Sequence, residues 1–211
     1  MPVQELALEC RRRGIPFIVD AAQSAGTMEL DFEKLGADFV AMPGHKGLLG
    51  PMGTGLLLCA RLPKPLLCGG TGSESELQSM PKFLPDRAEA GTLNVPGFAG
   101  LTEGIRLVLE KGAEAIGKRE HQLAAYTARE LEKLGYEVFA GEHQGGTVSF
   151  RGKCDCQTLC DRLPGIALRA GLHCAPLAHK SAGTLDTGTV RASFGWNSKQ
   201  EDAEALLRAL K

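Results

Sequence analysis

The chain holds 211 residues, with 24 Lys and Arg against 25 Asp and Glu and a formal net charge of −1. That balance, with no run of like charge, excludes the basic footprint of a nucleic-acid or membrane-surface binder, and the length suits one sizeable core or two small ones. No apolar segment is long enough to span a bilayer, no signal-peptide pattern is present, and seven cysteines are an odd number for a disulfide framework, so a cytoplasmic small-molecule enzyme is the expected class.

In chain order, Val3 to Arg13 reads as a helix, and Ile15-Pro16-Phe17-Ile18-Val19 as a short apolar strand entered from Gly14 and buried on both faces in a parallel sheet. Asp20 then stands at the carboxyl end of that strand, where open α/β sheets bind ligands. It either pairs with a cation there or caps the following turn. Ala37 to Met42 reads as a second strand, broken by Pro43-Gly44 just before His45-Lys46. Partial desolvation there would favour the neutral amine of Lys46; the alternative is a solvated surface lysine. An acid after one strand and a lysine after the next is what a pyridoxal phosphate enzyme needs, a carboxylate for the ring nitrogen and an amine for the aldehyde. The glycines from Gly47 to Gly55 predict an irregular turn into a third strand, Leu56 to Cys59.

Residues Leu62 to Leu93, rich in Gly, Ser and Pro, read as a long loop. From Gly97 to Leu134 apolar residues recur at helical spacing (Ile105, Leu109, Ile116, Leu123, Leu131), predicting one long or broken helix. Short strands follow at Glu137 to Phe139 and Thr147 to Arg151, then a helix from about Asp155 to Leu163. A strand at Ile166 to Arg169 leads to a loop carrying His173-Cys174, and Thr189 to Phe194 forms another strand. A closing helix, Lys199 to Leu210, opens behind Asn197-Ser198 as capping residues. Cys174 lies between Gly171 and Pro176, a loop composition that suits a reactive thiol better than a buried inert one. His173 or Arg169 nearby would lower its pKa. Cys154, Cys156 and Cys160 match no common metal-ligand spacing, and Cys160 is expected to pack on its helix; no metal is expected.

Asp20-Ala21-Ala22-Gln23, Gly44-His45-Lys46, the Gly50-Pro51-Met52-Gly53-Thr54-Gly55 turn, Glu89-Ala90-Gly91-Thr92, Arg169-Ala170-Gly171-Leu172-His173-Cys174-Ala175-Pro176 and Val190-Arg191-Ala192-Ser193 occur in that order. The series resembles the class V aminotransferase family, and within it the cysteine desulfurases and selenocysteine lyases. The resemblance is close to chain-wide and implies the C-terminal half of an α/β, aspartate-aminotransferase-like fold type I enzyme. Residues 1–96 would be part of the large, mixed-sheet cofactor domain, 97–134 a connecting helix and 135–211 the small α+β domain.

By the same resemblance, Lys46 would bond the aldehyde of pyridoxal 5'-phosphate and move the substrate α-proton, with His45 beside the ring assisting. Asp20 would pair with the ring nitrogen, Gln23 would hydrogen-bond the ring hydroxyl, and Thr92 would reach the cofactor phosphate of a neighbouring subunit in a homodimer. Arg191, with Arg169, would hold the substrate carboxylate, a task suited to a planar bidentate donor. Cys174 would take sulfur from L-cysteine or a related amino acid as a persulfide, leaving alanine, and pass it to an acceptor protein. Two departures stand out. Pro43 occupies the position, two before His45, where the family usually has a hydroxyl for the phosphate. Family members are also about twice this length, and the phosphate cup, the ring that stacks on the cofactor and an asparagine near its hydroxyl belong to an upstream half. The alternatives are therefore a non-catalytic remnant, a subunit needing that half, or an aminotransferase on the same scaffold.

Overall fold

A computed structural model describes residues 2–141 and 143–211. The chain divides into two compact units, one ending at Glu114 and the other running from Ala115 to Lys211.

The first unit opens with helix α1 (Val3–Arg12), which carries Glu5 in its first turn and Arg11 and Arg12 in its last, the arrangement its dipole favours. Strand β1 (Ile18–Asp20) follows, then the short helix α2 (Phe32–Leu35), which Asp31 caps by accepting the Lys34 N–H at 3.1 Å and which Gly36 ends at φ 65°. Strands β2 (Phe39–Pro43) and β3 (Gly55–Cys59) complete a three-stranded mixed sheet of order β1-β2-β3, β1 parallel and β3 antiparallel to β2.

Strand β1 begins at Ile18, not at Ile15 as the apolar run predicts. The ladder cannot start earlier, because Pro16 has no N–H and the Asp38 carboxylate takes the Phe17 N–H at 2.7 Å. Nor is the strand buried on both faces: β1 is an edge strand, and Ile18 is 63% exposed. The core of this unit is Ala21, Ala25, Val40, Met42, Leu48 and Leu101, the last from helix α3 (Val95–Lys111).

The predicted long loop is tied down. Arg87, in a 3-10 turn at Asp86–Ala88, donates Nε to the Pro63 carbonyl at 2.7 Å and Nη1 to that of Pro81 at 3.1 Å, beside buried Met80. The predicted long helix is broken at Gly112, whose φ of 81° suits glycine, so that α3 gives way to α4 (Ala113–Lys133).

In the second unit, β4 (Glu137–Phe139), β5 (Thr147–Arg151), β6 (Arg169–Gly171) and β7 (Thr189–Ser193) form an antiparallel sheet of order β4-β5-β7-β6. Side chains alternate across the strands. Val148, Phe150, Val190 and Ala192 face a core completed by Leu131 of α4, Leu159 of helix α5 (Cys156–Asp161) and Leu206 and Leu207 of helix α7 (Gln200–Ala209). Fully buried Phe150, Val148 and Val190 each contribute about 1.5–3 kcal/mol. Ser149, Thr189, Arg191, Arg169 and Gly171 fall on the other face. Cys156 lies in the core and Cys154 and Cys160 pack against it, and burial pushes the Cys156 and Cys160 thiols up.

Two sequence expectations shift here. Strand β6 starts at Arg169 instead of Ile166, because the Ile166 N–H closes a turn onto the Leu163 carbonyl at 3.1 Å. Helix α7 is capped at Lys199, not at Asn197-Ser198. Asp202 accepts the Lys199 N–H at 2.8 Å, while Ser198 Oγ accepts the Gly195 N–H at 2.9 Å. Helix α6 (Pro176–Ser181), directly after Cys174, was not anticipated. Among the described residues no helix is long and apolar enough to cross a membrane.

Candidate active site

The sequence-predicted residues fall into two sets, one in each unit. In the first, β1 and β2 run parallel with Asp20 opposite Ala41, so their carboxyl ends share one edge of the sheet. Asp20 Oδ1 accepts the Ala22 N–H at 2.8 Å and its side chain is otherwise exposed, so it turns the chain and keeps a carboxylate facing outward. Gln23 is exposed in the next turn.

Two glycines lock this turn to the lysine turn. A Cβ at Gly26 would stand 1.9 Å from the Gly47 carbonyl oxygen, and one at Gly47 would stand 2.2 Å from that of Ala25, so the two backbones touch. The lysine turn is further closed by the Gly50 N–H on the Gly44 carbonyl at 2.7 Å and by Thr54 Oγ1 on the Pro51 carbonyl at 2.6 Å. Helix α3 backs it, since a Cβ at Gly104 would stand 2.4 Å from the Leu48 carbonyl oxygen. His45 and Lys46 project from this rigid turn into solvent. The desolvation expected at Lys46 is therefore absent in this chain: its turn is buried beneath it while its side chain is exposed. Thr92 is exposed just before α3, beyond Gly91, whose N–H bonds the Gly70 carbonyl at 2.8 Å. A groove lined by Arg11, Phe17, Phe32, Asp38 and Arg61 lies at the amino ends of β1 and β2, away from Asp20 and Lys46.

The second set surrounds β7. Arg191 pairs with Ser149 of β5 on one side and with Arg169 of β6 on the other. Two guanidiniums directly opposite on one sheet face are destabilising unless an anion lies between them. Arg191 Nε and Thr189 Oγ1, on the same face, are buried without a hydrogen-bond partner. The face thus carries hydrogen-bonding capacity suited to an anion.

Cys174 is exposed, at φ 61°, directly after His173 at φ 50°. Both residues are left-handed without being glycine, a conformation that costs roughly 1–2 kcal/mol per residue. His173 Nε2 lies 3.1 Å from the Thr189 carbonyl oxygen, while its Nδ1 is buried and unpartnered. Burial pushes the His173 pKa down; the Thr189 carbonyl opposes this, and Arg191, His179 and Arg169 reinforce it. Burial thus favours the neutral form of the His173 ring. The residues that hold this loop, His179, Thr184 and Thr189, went unremarked in the sequence. Their one visible signal is a histidine five positions before a threonine in the segment after Cys174.

A family model described as aminotransferase class-V matches residues 1–206. A protein of Halalkalibacterium halodurans named probable cysteine desulfurase is 38% identical over 100% of this chain and 53% of its own length. One of the same name from Methanothermobacter thermautotrophicus is 36% identical over 99% of this chain and 56% of its own. Among solved structures, the apo cysteine desulfurase of Thermococcus onnurineus NA1 superposes with a TM-score of 0.87 at 35% identity, covering 99% of this chain and 55% of that one. The cysteine desulfurase CsdA of Escherichia coli, in its S-sulfonic acid form, gives 0.83 at 28% identity. The chain spans about half the length of the curated relatives it matches.

Proposed function

This chain belongs to the class V aminotransferase family, and we propose that it carries the lysine, the ring-nitrogen acid, the carboxylate-binding arginines and the sulfur-accepting cysteine of a pyridoxal phosphate-dependent cysteine desulfurase. The observation that carries this reading is the join between the turns after β1 and β2. The Gly26–Gly47 contact holds an exposed carboxylate and an exposed primary amine on adjacent turns at one sheet edge. That donor set fits pyridoxal phosphate, which when bound supplies an electron sink conjugated to the substrate α-carbon.

Each residue then has a task its geometry suits. Asp20 uses Oδ1 to fix its own turn, and the rest of its carboxylate would pair with the ring nitrogen. Lys46, on a turn closed by its own hydrogen bonds, would provide the amine that holds the cofactor and would afterwards carry the α-proton, with His45 beside it as a second proton carrier and Gln23 as a hydrogen-bond partner for the ring hydroxyl. Arg191 and Arg169 receive the substrate carboxylate, an anion that suits their sheet face. Cys174 attacks the substrate sulfur as a thiolate: the S–S bond forms, the C–S bond breaks, and the carbon takes up a proton, so that cysteine becomes alanine and the enzyme holds a persulfide for an acceptor protein. Thr92 serves the phosphate site of a second subunit in a homodimer. The seven free cysteines agree with a reducing, cytoplasmic setting.

A visible absorbance titration of the chain with pyridoxal phosphate tests the site. The parent is expected to develop a yellow band that saturates at one equivalent and is absent in Lys46→Ala. A band of equal strength in both proteins would overturn the assignment of Lys46. Alanine release from L-cysteine should then fall at least a hundredfold in Cys174→Ala, and retention of full release would rule out the persulfide step.

A further inference from the structure

Three buried polar atoms without partners, His173 Nδ1, Thr189 Oγ1 and Arg191 Nε, all belong to the Cys174 loop and the strand behind it. The loop leaves β6 at Gly171 and returns into β7 at Thr189, and its two left-handed non-glycine residues, His173 and Cys174, stand just after β6.

The bond between His173 and Thr189 fixes the imidazole tautomer. A carbonyl oxygen accepts only, so Nε2 carries the hydrogen, and Nδ1 is left as a bare lone pair out of contact with water. Behind the ring stands His179, itself buried, at 5.8 Å between centroids and tilted by 49°. Its Nδ1 lies 2.7 Å from Thr184 Oγ1, and the Thr184 N–H donates to the His179 carbonyl at 2.9 Å. Helix α6 and the segment after it therefore hold a wall against which His173 rests. The titratable groups that face His173 are Arg169 from β6, Arg191 from β7 and His179 from α6, and none of them is acidic. A proton added at Nδ1 would find no acceptor and two guanidiniums.

We propose that His173 is the positioning residue of Cys174. Its neutral ring donates Nε2–H to the Thr189 carbonyl and so holds both residues left-handed and the thiol outward; a proton at Nδ1 leaves that donor in place but makes a buried cation beside Arg169 and Arg191 with no acceptor, and the ring then swings out to water and gives up the bond. Presentation of the Cys174 thiol is thereby pH-dependent, full when the ring is neutral and lost in mild acid. The inference deepens the reading of Cys174 as nucleophile. Its test reads the ring and the backbone, so a failed desulfurase assay would leave it standing.

The test is nuclear magnetic resonance of the full chain labelled with nitrogen-15, titrated between pH 4.5 and 7.5. The His173 ring is expected to show the Nε2–H tautomer at pH 7.5 and a midpoint below the ordinary histidine value of about 6.5. The Cys174 amide should move with that same midpoint. In His173→Gln, whose side-chain amide keeps a donor for Thr189 but does not titrate, the Cys174 amide should stay near its neutral position across the range. In His173→Ala it should be displaced at every pH. An Nδ1–H tautomer, or a Cys174 amide that follows pH in His173→Gln as in the parent, would overturn the proposal. Should neither variant fold, separate midpoints for ring and amide in the parent would do the same.

Discussion

Glu120 shows how one side chain sets a pH dependence that no contact map announces. It lies half-buried on α4, where a Cβ at Gly146 would come within 2.9 Å of its Oε2, and burial raises its pKa. In the folded state the proton is therefore held to a higher pH than in the unfolded chain. Between the unfolded value, near the usual glutamate figure of about 4.3, and the raised folded value, the native state binds more protons, so stability falls as pH rises through that window. Glu120→Gln should raise the urea midpoint at pH 7, and the gain should vanish below about pH 4, where both proteins carry a neutral side chain. A gain that persists unchanged at low pH would assign the effect to packing. Asp20 and Lys46 were legible in the sequence because their meaning lies in position after a strand. Thr189, His179 and Thr184 were not, because each acts through a register or a loop closure that brings together residues 5 to 16 apart.

Among the elements, α3 owes its place to missing side chains. Gly97, Gly100 and Gly104 recur at helical spacing, and at the last two a Cβ would meet Pro51 at 2.7 Å and the Leu48 carbonyl oxygen at 2.4 Å. Glycine costs a helix about 1 kcal/mol relative to alanine, so propensity alone predicts that Gly104→Ala stabilises. The steric term opposes it, because the neighbour is backbone in a turn closed by its own hydrogen bonds, and overpacking of this kind costs about 1–3 kcal/mol. We expect a net loss of up to about 2 kcal/mol in urea unfolding, together with a weaker Lys46-dependent absorbance band. A stabilised variant with a full band would mean that α3 does not brace the lysine turn. Periodicity alone revealed the helical content from Gly97 onward, yet it carried the apolar phase straight across Gly112 and so left one helix or two undecided. Strand edges were misplaced for a related reason. At Phe17 and Ile166 the backbone N–H groups are taken by a side chain and by a turn, and hydrophobic pattern does not report where an amide donates.

The whole molecule is built around two cores that share no residue. One draws on Phe17 to Ile105, and the other on Tyr126 to Leu210. Among the described residues the two sheets are likewise separate, with no strand exchanged between them. That arrangement sets how damage should spread. Phe150 is fully buried and its ring meets Tyr136 edge-on at 5.5 Å between centroids, so Phe150→Ala should cost about 3–5 kcal/mol. Because stability is local to cooperative units, the loss should appear in hydrogen exchange as faster exchange across β4 to β7 and α7, while β1 to β3 keep the protection of the parent. The Lys46-dependent absorbance should survive, since the lysine turn is anchored in the first core through Leu48 and backed by Leu101 of α3. Uniform loss of protection in both sheets would instead mean that the chain unfolds as one body. In that case a mutation behind the Cys174 loop would also disturb the Asp20 and Lys46 turns.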